Sequence, residues 1–262
     1  MQREHRHVSI DSYAYLSGMR DWNSGYKVLF SAAALMVVLA ADRPAVSLGT
    51  FFYMLLLTVG KGGVRLHDYI CLLGIPATFI LLGGLAVALE FSGEVPGGTL
   101  ASLRLGGVFV CVTERGLSLA VTLGLKALGA VSAVFMMTLS TPMGEILAVL
   151  RRLHIPALMI ELMHLIYRYI FLLFDISERQ REAAYARLGY RDFKTSLRTF
   201  GSTLANLLLL SMKRSELYYD ALEARGYDGG CRFWEERKRL TAGQLWYGAL
   251  YAAMAALLMG GL

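Results

Sequence analysis

The phrase Ala184-Tyr185-Ala186-Arg187-Leu188-Gly189-Tyr190 returns in shortened form as Leu222-Glu223-Ala224-Arg225-Gly226-Tyr227. Each copy closes a run of good helix-forming residues, so each predicts a helix that ends in Arg shortly before Gly. Both copies lie in a long polar insert, Ser177–Gly230, between apolar runs. This insert decides the fold, because it divides a membrane-type chain into apolar spans and a water-exposed part that carries the repeated phrase.

Two interpretations of the repeated phrase stand side by side. An Arg in the last turn of a helix complements the carbonyl end of the helix dipole, and a following Gly readily takes the left-handed conformation. Capping alone, however, requires neither the Ala before each Arg nor the Tyr that follows each Gly. The duplication therefore also indicates a docking device with two prongs, on the same side of a membrane.

The composition is that of a membrane protein. Of 262 residues, 56% are hydrophobic and only 18% are charged, and the mean hydropathy is +0.49. The net charge is +6, and 13 of the 26 Lys and Arg residues lie between Asp175 and Leu240. Positive charge gathers on the cytoplasmic side of membrane proteins, so the insert is expected to be cytoplasmic.

Apolar runs predict five membrane spans, some of them slightly short against the roughly 20 residues that a straight helix needs. The runs are Tyr26–Ala41, Ala45–Val59, Tyr69–Phe91, Leu117–Leu139 and Ala242–Leu262. The loop Ser92–Arg104 is rich in Gly and Pro, and Leu105–Thr113 is too short to cross and predicts a re-entrant or interfacial piece. The expected fold is all-α and polytopic, with residues 1–139 and 242–262 in the membrane and 140–241 forming cytoplasmic helices.

Within 140–241 the sequence predicts four helices. Ser140-Thr141-Pro142 gives a cap and a first-position Pro for the first of them. The helices are expected at Met143–Leu153, Ala157–Phe174, Asp175–Leu188 and from about Phe200 to Arg225.

Four polar residues interrupt the apolar runs. Lys126 lies inside the fourth span, where it either snorkels to the interface or pairs with a neighbouring helix. Glu161, His164 and Arg168 form one polar stripe on an apolar helix, since they are spaced at three and seven residues from the first. We expect them to satisfy one another or a neighbouring helix, because the stripe supplies too few ligands for a metal site.

The chain lacks the motifs of the common catalysts. It has no Gly-x-x-x-x-Gly-Lys-Ser/Thr phosphate loop, no Gly-x-Ser-x-Gly elbow, no His-Glu-x-x-His pair and no Cys-x-x-Cys. The spans also lack the series of Asp, Glu and His residues that a proton-coupled carrier uses. We therefore expect neither an enzyme nor a self-sufficient transporter, and we expect no cofactor and no nucleic-acid partner.

Four segments resemble the transmembrane T component of energy-coupling factor transporters, in its cobalt-type, CbiQ-like branch. They are Ile10-Asp11-Ser12-Tyr13-Ala14-Tyr15, Ser140-Thr141-Pro142, Arg168-Tyr169-Ile170-Phe171 and Ala221-Leu222-Glu223-Ala224-Arg225-Gly226-Tyr227-Asp228-Gly229-Gly230. The last segment is the most specific of the four.

The resemblance implies a non-enzymatic scaffold in the cell inner membrane, with residues 140–241 as its cytoplasmic coupling-helix region. It would join two ATP-binding-cassette subunits to a separate substrate-binding membrane subunit, with cobalt, nickel or a vitamin as cargo and cobalt favoured by the branch. In this family two Ala-Arg-Gly motifs dock into grooves of the ATPases. Ala224-Arg225-Gly226 matches that motif, whereas Ala186-Arg187-Leu188-Gly189 carries an extra residue, which leaves open whether Arg187 itself docks. A stand-alone channel or carrier is the alternative.

Overall fold

The computed structural model describes residues 10–92, 99–105, 108–153, 155–227 and 238–260. These residues form two compact units. Unit 1 comprises Met1–Ile146 together with Glu236–Leu262, and unit 2 comprises Leu147–Glu235. Most of the described chain is helical, and a small three-stranded sheet lies within unit 1.

The described helices follow one another in chain order. They are α1 (Ile10–Leu16), α2 (Ser24–Ala40), α3 (Pro44–Leu56, extended by the π-helical turn Leu57–Lys61), α4 (Leu66–Ala88), α5 (Glu114–Ser140), α6 (Met143–Arg152), α7 (Ala157–Ala186), α8 (Phe193–Glu223) and α9 (Ala242–Gly260). Five are long and apolar enough to cross a bilayer: α3 with its extension, α4, α5, α7 and α9. The all-α polytopic fold is therefore confirmed.

The set of candidate spans differs from the expected set in two helices. α2 has 17 residues and is shorter than the other candidates, whereas α7 qualifies by length and composition. α7 is one continuous helix of 30 residues. The separate helices expected at Ala157–Phe174 and Asp175–Leu188 are therefore wrong, because the change from apolar to charged residues at Asp175 alters the surface of the helix without breaking its backbone hydrogen bonds.

Side-chain caps and prolines set several helix starts. Asn23 caps α2 by accepting a hydrogen bond from the Tyr26 N–H at 3.1 Å, and Thr113 caps α5 by accepting one from the Gly116 N–H at 3.1 Å. Pro44 occupies the first turn of α3, where its missing N–H costs nothing. These local signals explain why the observed spans begin within a few residues of their expected positions.

The core of unit 1 is built around α5, which contacts α1, α2, α3 and α4. Gly129 of α5 lies directly against the backbone of Ser47 in α3, where an added Cβ would be 2.8 Å from the Ser47 carbonyl oxygen. Such close backbone approach is what small residues provide between helices in lipid. α9 packs on α3 and α2 and completes the aromatic cluster around Phe30 and Tyr251.

Hydroxyl groups join the helices of this core. The Tyr69 hydroxyl donates to Ser132 Oγ at 3.2 Å, and the Ser31 hydroxyl donates to the Ala133 carbonyl at 2.6 Å. Thr50 Oγ1 and the Tyr251 hydroxyl share a hydrogen bond at 3.1 Å. Because hydrocarbon offers a polar group no partner, buried hydroxyls of this kind fix which helix faces meet.

A buried ionic cluster lies where α5 passes into α6. Lys27 is fully buried, and its Nζ donates to the carbonyls of Ser140 at 2.7 Å and Met19 at 3.3 Å and lies 3.5 Å from Glu145 Oε2. Lys238, which precedes α9, pairs with the other carboxylate oxygen of Glu145. The cluster therefore links the first turn of α2, the first turn of α6 and the residues just before α9.

The segment between α4 and α5 forms strands. β1 (Leu89–Ser92), β2 (Thr99–Leu105) and β3 (Val108–Thr113) make an antiparallel sheet in the order β1-β3-β2. The loop expected over Ser92–Arg104 is therefore wrong over residues 99–104, which lie in β2, while residues 93–98 lie outside the described part of the chain. The re-entrant or interfacial position expected for Leu105–Thr113 stays a prediction, although Val108–Thr113 is a strand. The sequence of β3, Val-Phe-Val-Cys-Val-Thr, is rich in residues that favour strands.

Unit 2 contains the helix pair α7 and α8, which contact each other along the chain's polar insert. Arg168 of α7 lies over the Tyr218 ring of α8, with Cζ 5.6 Å from the ring centroid. The Tyr169 hydroxyl donates to the Arg214 carbonyl at 3.3 Å. α8 has no buried residue, and large apolar side chains are exposed along both helices.

Candidate partner-docking site

α7 ends in a compact hydrogen-bonded turn built on Arg187. The Arg187 N–H donates to the Ala184 carbonyl at 3.2 Å, and the Leu188 N–H donates to the Tyr185 carbonyl at 3.0 Å. The Gly189 N–H then reaches back to the Ala184 carbonyl at 2.8 Å. The last two bonds define a Schellman motif, which satisfies the carbonyls that a helix end would leave without partners.

α8 ends in the same turn built on Arg225. The Arg225 N–H donates to the Leu222 carbonyl at 3.0 Å, and the Gly226 N–H donates to the Glu223 carbonyl at 2.9 Å. The Tyr227 N–H reaches back to the Leu222 carbonyl at 3.1 Å. Relative to its arginine, each of these three bonds has the same donor and acceptor positions as the corresponding bond of α7.

The backbone therefore aligns the two arginines despite the extra residue in the first copy. Arg187 and Arg225 occupy the same position of the same motif, and both are exposed. Leu188, with φ 57°, takes the place of Gly226, with φ 77°. The extra residue shifts the glycine of the first copy by one position and leaves the arginine in register.

This alignment corrects the expected conformation of the first copy. The capping interpretation gives the left-handed position to Gly189, but the structure gives it to Leu188. Gly189 instead meets α8: the Thr199 hydroxyl donates to its carbonyl at 2.8 Å, and an added Cβ would lie 3.0 Å from both Thr199 Oγ1 and the Ala184 carbonyl oxygen. Gly189 is required for close contact with α8.

The other predicted site residues lie as follows. Ala186 is the last residue of α7, and Ala224 continues the right-handed geometry of α8 with φ −60° and ψ −22°. Glu161 is buried, whereas Arg168 is exposed and stacks on Tyr218 as described above. In the part of the chain that the structure describes, no group of three or more His, Cys, Asp or Glu residues could hold a metal ion.

Lys126 pairs with a neighbouring segment, which was one of the two possibilities that the sequence left open. Its Nζ lies 2.5 Å from Asp42 Oδ1 and 3.3 Å from the Leu39 carbonyl oxygen, at the turn between α2 and α3. This hydrogen bond and the positive charge lower the pKa of the Asp42 carboxyl below its usual 3.8. Lys126 therefore joins α5 to that turn.

The sequence pattern pointed to the Tyr that follows each Gly, but not to Tyr185 or Leu188 beside Arg187. The rings of Tyr185 and Tyr190 lie against each other with centroids 4.5 Å apart, and Arg181 Cζ is 6.0 Å from the Tyr185 centroid. Leu188 projects from the turn with 67% of its surface exposed. The available signal was the tyrosines that bracket the first arginine, which a simple cap does not need.

A cleft of about 520 Å³ lies between α7 and α8 next to the first turn. Arg187, Arg198 and Gln180 contribute to its lining, and the Gln180 Oε1 atom is buried without a hydrogen-bond partner. The two guanidinium groups that line this cleft favour carboxylates, since the guanidinium fork matches them with two parallel hydrogen bonds. The arrangement is suited to binding an acidic protein surface.

Comparisons with known proteins agree with this architecture. An uncharacterized protein of Methanocaldococcus jannaschii, MJ1089, is 29% identical over 86% of this chain and 82% of its own length. A putative fused cobalt transport protein, CbiMQ, of Methanocorpusculum labreanum is 28% identical over 88% of this chain but only 38% of its own length. The cobalt transport protein CbiQ of Salmonella typhimurium is 27% identical over 60% of this chain and 69% of its own.

The family model for CbiQ, described as cobalt transport protein, matches residues 17–237. That range contains both arginine turns and all the described helices from α2 to α8. Together with the candidate spans, the match identifies a multi-pass membrane protein. The chain belongs to the CbiQ family of cobalt transport proteins.

Proposed function

We propose that this chain is the transmembrane coupling subunit of an energy-coupling factor importer for cobalt in the cell inner membrane. It would connect two ATP-binding-cassette subunits, which hydrolyse ATP, to a separate substrate-binding membrane subunit. The observation that carries the proposal is the identical Schellman geometry around Arg187 and Arg225. Helix capping alone does not require two ends to present the same exposed side chain from the same backbone position.

The chemistry of the two turns supports docking to an acidic groove. Each guanidinium offers a planar set of donors at a helix end, which can form two charge-assisted hydrogen bonds with one carboxylate. A left-handed residue after each arginine turns the backbone away, so the arginine stands at the tip. Closure of the two ATPases would move the tips as rigid bodies and drive the substrate-binding subunit.

Relatives support a membrane partner for this chain. The Methanocorpusculum labreanum relative is named as a fused CbiMQ protein, and this chain matches only 38% of it. A fusion keeps two segments close together in the membrane. We infer that the part of the fusion protein outside the match contains a counterpart of a membrane partner. This chain would bind that partner as a separate subunit.

Charge reversal tests the docking proposal. The chain is co-purified with its partner ATP-binding-cassette subunits as wild type, Arg187→Glu, Arg225→Glu and the double variant. Each reversal replaces an attraction with a repulsion and is expected to weaken binding by at least about tenfold, since breaking one partner of an interfacial charge pair costs roughly 2–5 kcal/mol. The double variant is expected to lose the ATPases while still inserting in the membrane.

Lys213→Glu is the matched control, because Lys213 is an exposed cation of α8 twelve residues before Arg225. It changes the net charge by the same amount as either single reversal and should leave co-purification unchanged. Equal retention of the ATPases by wild type and the double variant would show that both arginines only cap their helices. Equal loss in Lys213→Glu would show that net charge, and not the two tips, controls binding.

A further inference from the structure

The helix-end turns at Arg187 (the first tip) and at Arg225 (the second tip) differ in the residue that follows the arginine. In the first tip that residue has a conformational cost. Leu188 holds φ 57°, the left-handed region in which the Cβ of an ordinary residue is crowded by its own backbone. Gly226 holds φ 77° at the equivalent position without that cost. In the described part of the chain, Leu188 is the only residue other than glycine with a positive φ.

Contacts within the chain do not explain the leucine. Its side chain is 67% exposed, so it gains little burial in return for the strained backbone. The turn itself needs only a residue that tolerates the left-handed region, and glycine meets that need in the second tip. Strained residues persist mainly where they serve a function, so an exposed leucine here indicates a partner.

Exposed apolar and aromatic residues lie close to Leu188 in the sequence. Tyr185 is 57% exposed and Phe193, at the start of α8, is 85% exposed. Tyr185 lies three residues before Leu188 and Phe193 five residues after it, and the exposed Arg187 precedes it directly. The first tip thus combines exposed apolar side chains with the Arg187 guanidinium, the mixture typical of binding hot spots.

The second tip has no apolar residue at the corresponding place. Gly226 follows Arg225 directly, and an added Cβ there would meet nothing within 4 Å. The position is open, but its φ of 77° favours glycine over any residue with a Cβ, so the second tip carries no side chain directly after Arg225. The two tips therefore share a backbone conformation and differ in the side chain that follows the arginine.

We propose that Leu188 is an apolar anchor, which inserts into a hydrophobic pocket of the ATPase groove beside the carboxylate that binds Arg187. This inference rests on the proposed function and extends it: the first tip binds through charge and burial together, and the second binds mainly through charge. Burial of a leucine side chain in a dry pocket gives affinity that salt does not screen. The first tip is then the stronger of the two and the less sensitive to ionic strength.

Substitution of Leu188 distinguishes an effect on binding from an effect on stability. If Leu188 is an anchor, the same substitution should raise the melting temperature and weaken the binding of the ATPases. Leu188→Gly relieves the backbone strain, so the melting temperature is expected to rise by roughly 2–4 °C in a chain of this size. The same change removes the anchor, so the Kd for the purified ATP-binding-cassette subunits is expected to rise about tenfold. A residue with only a structural role would not improve stability and impair binding together.

Two further variants distinguish the side chain from the stiffness of the turn. Asn tolerates the left-handed region, so Leu188→Asn keeps the turn ordered while replacing the apolar side chain with a polar one. It should weaken binding as much as Leu188→Gly does. Leu188→Met keeps the apolar volume and should bind within about twofold of wild type. Leu197→Asn, at a leucine with similar exposure, 62%, in α8, is the control and should bind as wild type does.

Each result bears on the proposal. Wild-type affinity in both Leu188→Gly and Leu188→Asn would overturn the anchor proposal. Weak binding in Leu188→Gly alone would also overturn it, because the loss of affinity would then come from a more flexible turn. If Arg187→Glu and Arg225→Glu abolish binding while the Leu188 variants do not, the coupling proposal survives and the anchor fails. If the wild-type chain does not bind the ATPases at all, both the coupling proposal and the anchor proposal fail.

Discussion

Leu188 decides the geometry of the first tip, because it takes the left-handed position after Arg187 and so keeps that arginine in register with Arg225. The Gly two positions after Arg187 indicated instead an ordinary cap one residue out of register with the second copy. The positions of both arginines in helix ends were predictable from sequence, but which residue adopts positive φ depends on the contact between Gly189 and Thr199, which no local pattern contains.

The buried cluster of Lys27, Glu145 and Lys238 yields a stability prediction. Glu145 is the shared counter-charge of two lysines, and one of them is fully buried. Glu145→Ala leaves the Lys27 ammonium buried beside another cation, which is expected to cost roughly 3–5 kcal/mol. Thermal or denaturant unfolding of the purified chain in detergent measures this loss.

The Lys126–Asp42 pair is the matched control for that cluster. Asp42 is almost fully exposed, and water screens the attraction between exposed charges, so Asp42→Asn should have little effect on the free energy of unfolding. Because the pKa of Asp42 is lowered, the pair contributes fully above the usual carboxyl pKa and loosens only as the pH falls below 3.8. Equal destabilisation by Glu145→Ala and Asp42→Asn near pH 7 would show that burial of the cluster does not matter.

Among the elements, apolar runs located the helices of unit 1 well, and short apolar segments were misread. Tyr69–Phe91 and Leu117–Leu139 became α4 and α5 with small shifts, because charges and caps bound long apolar runs clearly. Of the short run expected at Leu105–Thr113, Leu105 lies in β2 and Val108–Thr113 forms β3. A short apolar run carries no helical or strand period of its own, and its pairing with β1 and β2 is a non-local contact that sequence reading cannot supply.

α7 is the element on which the orientation of the docking site depends. Its apolar first half makes it long and apolar enough to cross a membrane, yet crossing would place the following charges on the outer side. Half of the Lys and Arg residues, 13 of 26, lie between Asp175 and Leu240, so crossing would oppose the usual charge bias. We propose that α7 does not cross and that its apolar side chains face the bilayer surface or partner subunits.

Cysteine labelling in intact cells tests the orientation of α7. In a variant lacking its three native cysteines, Arg191→Cys places a thiol in the turn after α7, and Arg43→Cys places one in the turn between α2 and α3. A membrane-impermeant maleimide is expected to label Cys at 43 in intact cells and Cys at 191 only after permeabilisation. Labelling at 191 in intact cells would show that α7 crosses and that the first tip faces outward.

At the scale of the whole molecule, the described chain combines unit 1, which holds four of the five candidate spans, with unit 2, which presents two matched tips. Composition and charge distribution predict a division into membrane and cytoplasmic parts, because both are sums over many residues, and that division stays a prediction. The equivalence of the two tips could be predicted only in part from the sequence, because the first copy carries one extra residue. The equivalence lies in the backbone hydrogen bonds of the two turns. The family match fits this organisation, as it covers residues 17–237.

The measurement that tests coupling most directly is radioactive cobalt uptake into proteoliposomes, with the chain reconstituted alone or together with its ATPase and substrate-binding subunits. The complete wild-type assembly is expected to take up cobalt only with ATP, and the chain alone is expected to take up none. The Arg187→Glu, Arg225→Glu double variant should insert normally and lose at least about tenfold of the ATP-dependent uptake. Uptake by the chain alone, or undiminished uptake with the double variant, would contradict the coupling function.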